Sequence, residues 1–161
     1  MSHDPGPYNV QRLRDELARQ LPDLVRGLPS ILTGLAGPDR VGLPARLAYQ
    51  LRMARLLGCP VCLELFPRLG PHAGLPGEAV SRATEGQLEG LLPQEAGAVA
   101  WAEAVITGDG AEPELVPGPA MALTTGQRAH LLQMARLELV VHAAWLMFLP
   151  HSMIQRALGL S

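Results

Sequence analysis

Apolar residues return every three or four positions along most of this 161-residue chain, and nowhere do they alternate with polar ones as a strand requires. That single regularity restricts the chain to helices packed on helices. Val10, Leu13, Leu17 and Leu21 mark one apolar face, and Leu24, Val25, Leu28, Ile31 and Leu32 mark the next, after Pro22. Gly34 to Leu43 is a break rich in turn formers. The pattern restarts at Pro44 with Leu47, Leu51, Ala54 and Leu57 on one face, while Arg46, Arg52 and Arg55 lie largely off it.

Cys59 to Leu69 reads as a short helix with Pro60 at its first position. One or two weakly patterned helices are expected over Glu78 to Leu92, and a stronger one over Pro93 to Thr107 with Ala96, Val99, Ala100, Ala104 and Val105 inward. Gly108 to Pro119 reads as a loop. Thr124 or Thr125 caps a long helix that Pro150 ends, and His151 to Leu160 forms a short last one. The fold class is therefore all-α, with about six to eight helices. Residues 1–161 make one domain, with 1–7 as a flexible tail.

Composition narrows the function classes. All thirteen basic residues are Arg, and the net charge is -2, against the basic stripe that a nucleic-acid binder carries. Residues 1–7 lack the basic start and apolar run of a signal peptide. Leu137 to Leu149 is too short to cross a bilayer and contains Glu138 and His142. The expectation is a cytoplasmic protein with no membrane or nucleic-acid partner. In a reducing compartment two cysteines do not serve as a staple, so their spacing matters more than their number.

Cys59 and Cys62 stand three apart where a helix begins, flanked by Gly58 and Pro60. Such a pair shares one helix face and is close enough to form a disulfide. Unpaired N–H groups at a helix start favour the thiolate, which is the form that attacks disulfides and peroxides. A peroxide-oxidised thiol becomes a sulfenic acid, which its neighbour resolves to a disulfide. Other readings stay open. Free cysteine packs as a small hydrophobe. Zinc needs two further ligands, and His72, His130, His142 and His151 form no paired motif. A thioredoxin fold places its pair after a strand, which is not the pattern here.

The run Arg46-Leu47-Ala48-Tyr49-Gln50-Leu51-Arg52-Met53-Ala54-Arg55-Leu56-Leu57-Gly58-Cys59-Pro60-Val61-Cys62 resembles the core of alkylhydroperoxidase D-like proteins, within the carboxymuconolactone decarboxylase superfamily. The Gly-Leu-Pro turn at Gly74 to Pro76 and the helix around Ala98 to Ala104 also fit, so the resemblance covers roughly residues 40 to 150. It implies an orthogonal helical bundle that assembles as a homo-oligomer (dimer, trimer or hexamer) and works without a bound cofactor or metal. It also implies a thiol-dependent peroxidase or disulfide oxidoreductase whose partners are a small peroxide and a thiol reductant. By the same resemblance Cys62 attacks the peroxide and Cys59 resolves it.

One departure bears on activity. Peroxidase members carry a Glu twelve residues before the first cysteine and a His four after the second, and some carry a His before the second. This chain has Leu47, Phe66 and Val61 there. General acid–base help is worth about 10²–10⁴-fold, so peroxidase activity is expected to be weak unless another group relays protons. Glu64, two residues from Cys62, points elsewhere on a helix and reads as a solvated carboxylate. Glu138 and His142, four apart on one face of an apolar run, are a second candidate relay. Their plainer reading pairs Glu138 with an arginine, Arg136 or one across a subunit contact, and gives His142 a buried hydrogen bond. Tyr49 and Gln50 are expected to line the same cavity.

Trp101 and Trp145 read as core or interface. A second functional class also fits: a non-redox superfamily member in which Arg46 or Arg52 holds a small carboxylic acid. A non-catalytic helical assembly is a third. The final helix, apolar around much of its circumference, is expected to need a subunit contact.

Overall fold

The computed structural model describes residues 40–107 and 118–148, together with positions 19, 22, 23, 26, 27 and 29; the side chains of 107 and 143–148 are not among those described. Apart from those six positions, the helices expected before residue 36 fall outside what is described, as do the helix after residue 150, most of the Gly108 to Pro119 loop, the tail and the side chain of Trp145. Six α-helices and one 3-10 turn make up the described part, with no strand among the described residues. They are α1 (Leu43–Leu57), α2 (Pro60–Arg68), α3 (Gly70–Ala73), α4 (Gly77–Glu85), α5 (Pro93–Thr107), the turn Pro119–Ala122 and α6 (Thr125–Phe148). The all-α class is as the periodicity requires, at the low end of the expected helix number.

α1 is the central element. Its buried residues are Ala45, Leu47, Ala48, Tyr49, Leu51, Met53 and Ala54, which cover far more than one face. It can be buried on several sides because every other described helix packs against it. Two apolar clusters divide that surface. Tyr49 and Met53 join Ala98, Trp101, Ala102, Val105, Leu131 and Ala135 on the side of α5 and α6. Leu47, Ala48 and Leu51 join Leu75, Ala79, Val80, Ala83 and Val99 on the side of α4.

Local signals set the boundaries. Gly58 adopts φ 63° and ends α1, with its N–H reaching back to the Arg55 carbonyl at 3.3 Å. α5 starts at Pro93, and the buried Glu95 carboxylate accepts the Leu92 N–H at 2.9 Å, the carboxylate half of a capping box. At α6 the cap is Thr124: its hydroxyl accepts from Gln127 N at 3.1 Å, and Gln127 Oε1 accepts from Thr124 N at 3.0 Å. The Glu78 to Leu92 stretch yields one helix, since Gly86 stops it in the left-handed region. On α5 the inward face is centred on Ala98, Val99, Trp101, Ala102 and Val105, whereas Ala96, Ala100 and Ala104 are half-buried. Helical spacing gives the width of an apolar stripe, but in an alanine-rich helix polarity cannot say which edge faces the core.

Arg52 ties three helices together. From α1 it bonds Glu103 of α5 at 2.7 and 2.8 Å and the Thr84 carbonyl of α4 at 3.0 Å. Gly86 leaves room for that arrangement, because a Cβ there would stand 2.6 Å from Glu103 Oε1 and 2.7 Å from Arg52 Cζ. Gly86→Ala is expected to lower stability by about 1–3 kcal/mol, from left-handed backbone strain and displacement of the ion pair. Urea unfolding of the two proteins measures it; an unchanged midpoint would remove this role.

Candidate functional site

The two cysteines lie at the joint between α1 and α2. Once Gly58 has ended α1, Cys59 takes an extended conformation (φ -81°, ψ 103°) as the N-cap of α2, and Pro60 occupies its first position. Cys62 follows within the first turn. Its N–H donates to Cys59 Sγ at 3.3 Å, so one of the donors left over at a helix start points at sulfur. The residues are joined as a disulfide with Cα atoms 5.3 Å apart. Cys59 is buried, at 2% exposure, and Cys62 is half-buried. Of the two, Cys62 is the one open to a reagent from solvent.

Where a proton relay would be expected, the surroundings are apolar. Leu47 is a member of the α4-side cluster and Phe66 packs against it. Val61 is half-buried. Glu64 is an exposed surface carboxylate, ion-paired with Arg68 at 2.9 Å, and does not turn toward the sulfurs.

Tyr49 and Gln50 of α1 lie beside Glu138 of α6, away from the sulfurs, and His142 stands one turn further along α6. The Gln50 side chain hydrogen-bonds the Glu138 carboxyl, joining α1 to α6. Tyr49, fully buried beside Gln50, has its hydroxyl pKa pushed well above the usual tyrosine range by burial and then by the Glu138 charge. Burial raises the Glu138 carboxyl to about 8 against the opposing Gln50 bond, and burial lowers His142 to about 4. At neutral pH both groups are therefore uncharged. Within the chain the group beside the Glu138 carboxyl is Gln50, on another helix, and not Arg136. Neither ring nitrogen of His142 has a hydrogen-bond partner among the described residues.

Gln50 precedes the end of α1 by seven residues, about 10 Å of helix, so this cluster and the dithiol are separate features of α1. Tyr49 Oη, Glu138 Oε1 and both His142 nitrogens are enclosed without a hydrogen bond among the described residues.

Trp101 is core, as expected, at 3% exposure; its indole N–H donates to the Arg128 carbonyl at 3.1 Å. The Arg128 guanidinium lies 6.0 Å from the same ring and reaches the Leu123 carbonyl and Thr125 Oγ1. Neither Arg128 nor Glu95 stands out in the sequence; both are ordinary charged residues near helix starts until the packing encloses them. His72 is exposed. No group of three or more His, Cys, Asp or Glu side chains among the described residues is arranged to hold a metal. No described helix is long and apolar enough to cross a membrane.

Fold and site together define an all-α protein with a Cys-x-x-Cys disulfide at a helix start. Comparison with protein-family models, curated proteins and solved structures finds no match to this chain.

Proposed function

We propose that the protein is a thiol-dependent oxidoreductase of alkylhydroperoxidase D-like type, cycling Cys59 and Cys62 between dithiol and disulfide. One observation carries the reading: the buried Cys59 caps α2, accepts the Cys62 N–H and is bonded to a more accessible Cys62. That arrangement suits attack from Cys62 and resolution by Cys59. The Cys62 thiolate attacks one peroxide oxygen; an S–O bond forms, the O–O bond breaks, and the departing alkoxide takes a proton to leave as an alcohol. Cys59 then attacks the Cys62 sulfur, the S–S bond forms, and water leaves. Two external thiols, oxidised to their own disulfide, return the pair to the reduced state.

Leu47, Val61 and Phe66 offer no proton transfer, and Glu138 bonds Gln50. Turnover with peroxide is therefore slow, about 10²–10⁴-fold below that of an enzyme with a relay. Disulfide exchange, which depends less on such a group, is the faster reaction. A cytoplasmic location and a homo-oligomer belong to the same proposal. The alternative, a carboxylate held by Arg46 or Arg52, is weakened because Arg52 is engaged by Glu103 and Thr84.

Thiol counting on reduced protein tests the reading. One equivalent of peroxide is expected to remove two thiols per chain, and Cys62→Ser to abolish turnover. Two thiols still free after peroxide, or unchanged turnover in the variant, defeats it.

A further inference from the structure

The two sulfurs of the Cys59–Cys62 disulfide are not equivalent, and the difference bears on how the pair is reduced again. Cys59 is 2% exposed, whereas Cys62 is half-buried. Cys59 is fastened to α1 through its N–H, which donates to the Ala54 carbonyl at 3.0 Å. Cys62 belongs to α2, in which no side chain from Pro60 to Arg68 is fully buried. The Cys62 N–H, a donor of the helix start, is turned to Cys59 Sγ at 3.3 Å.

Thiol–disulfide exchange needs one sulfur to be reached and the other to leave with a negative charge. Reach selects Cys62. Charge selects Cys59 as the leaving sulfur, because the N–H directed at its Sγ and the positive end of the helix dipole both favour an anion there. The reverse order would bring the attacker to the enclosed sulfur and leave the charge on Cys62, whose own N–H is turned to Cys59. We propose that an external thiol reductant enters at Cys62 and that the Cys62 backbone N–H receives the charge left on Cys59. The incoming thiolate bonds Cys62 Sγ, the Cys59–Cys62 bond breaks, and its electron pair stays on Cys59. A second external thiolate then attacks the reductant's sulfur, forming the external disulfide and releasing Cys62. The two protons given up by the external thiols return to the cysteines through solvent. The inference rests on the redox function proposed for the pair and extends it: Cys62 receives both peroxide and reductant, and Cys59 exchanges only with Cys62.

The experiment uses full-length protein oxidised with diamide, and sulfite as the attacking probe. Sulfite leaves the sulfur it attacks as an S-sulfonate and frees the other, so one product records both roles. Early samples are acidified to stop exchange and digested with pepsin. Fragmentation of the peptide that holds both cysteines then locates the sulfonate. In the folded protein, sulfonate on Cys62 is expected in about tenfold excess over Cys59. In denaturing urea, where burial and the helix start are gone, the two are expected to be nearly equal. Sulfonate mainly on Cys59, equal amounts on both sulfurs of the folded protein, or no adduct on the folded protein overturns the proposal. So does a Cys62 preference that survives in urea. A chain that forms no disulfide with diamide defeats the redox function and this inference with it, whereas a disulfide opened at Cys59 removes this inference alone.

Discussion

At pH 8 the Glu138→Gln variant is expected to be more stable than the wild type by about 3–5 kcal/mol, a difference that vanishes near pH 4.5. The Glu138 carboxyl rises from 4.5 to about 8 on folding, so the folded state holds its proton more tightly than the unfolded chain. The stability this represents is fully present below pH 4.5 and is lost as pH rises toward 8, at about 1.4 kcal/mol per unit. Glutamine occupies the same space and can still bond Gln50, yet it has no proton to lose. His142 works in the opposite sense. Its pKa falls from 6.5 to about 4, so its contribution is complete above pH 6.5 and is lost as pH falls toward 4.

The two slopes cancel between pH 4.5 and 6.5, where wild-type stability is expected to be level. Above pH 6.5 only Glu138 acts, and stability falls by about 2 kcal/mol by pH 8. Removing the imidazole with His142→Asn uncovers the Glu138 slope, giving a continuous decline from pH 4.5 to 8. Denaturant unfolding across this range, on all three proteins, measures each slope. A Glu138→Gln variant that tracks the wild type at every pH would mean that the carboxyl is hydrated and not enclosed.

Trp101→Ala is expected to lower stability by about 3–5 kcal/mol, the range for removing a large buried aromatic side chain. Trp101 sits in the cluster that joins α1, α5 and α6 and is one of only two tryptophans in a chain with two Tyr and two Phe. Its loss also frees the Arg128 carbonyl and removes the ring beside the Arg128 guanidinium. Trp101→Phe keeps most of the apolar volume and deletes the N–H, so it is expected to cost less, about 1–2 kcal/mol. Equal losses for Ala and Phe, by thermal or urea unfolding, would assign the effect to the hydrogen bond alone.

Helix positions were legible wherever a local device sets them. Pro93 marks the start of α5, Pro60 that of α2, and Thr124 that of α6, because each device lies within four residues of the group it satisfies. The dithiol was legible for the same reason: a three-residue spacing at a helix start already fixes which atoms are neighbours. Glu138 was not. Its i+4 relation to His142 is in the sequence, but the choice between Arg136 and Gln50 as its partner depends on which helix crosses α6, and Gln50 lies 88 positions away.

By itself, then, the sequence determined the helical class, the starts of α2, α5 and α6, and that Cys59 and Cys62 are neighbours at a helix start. These follow from backbone hydrogen bonds and side-chain periodicity acting over one or two turns. Only the tertiary structure decided that α1 is central, that Leu47 and Phe66 lie in and against one apolar cluster, and that Tyr49 and Gln50 lie beside Glu138. Burial is the reason: it is a property of helices already packed, and it sets the charge state of an acid and a base whose letters alone suggest an ion pair.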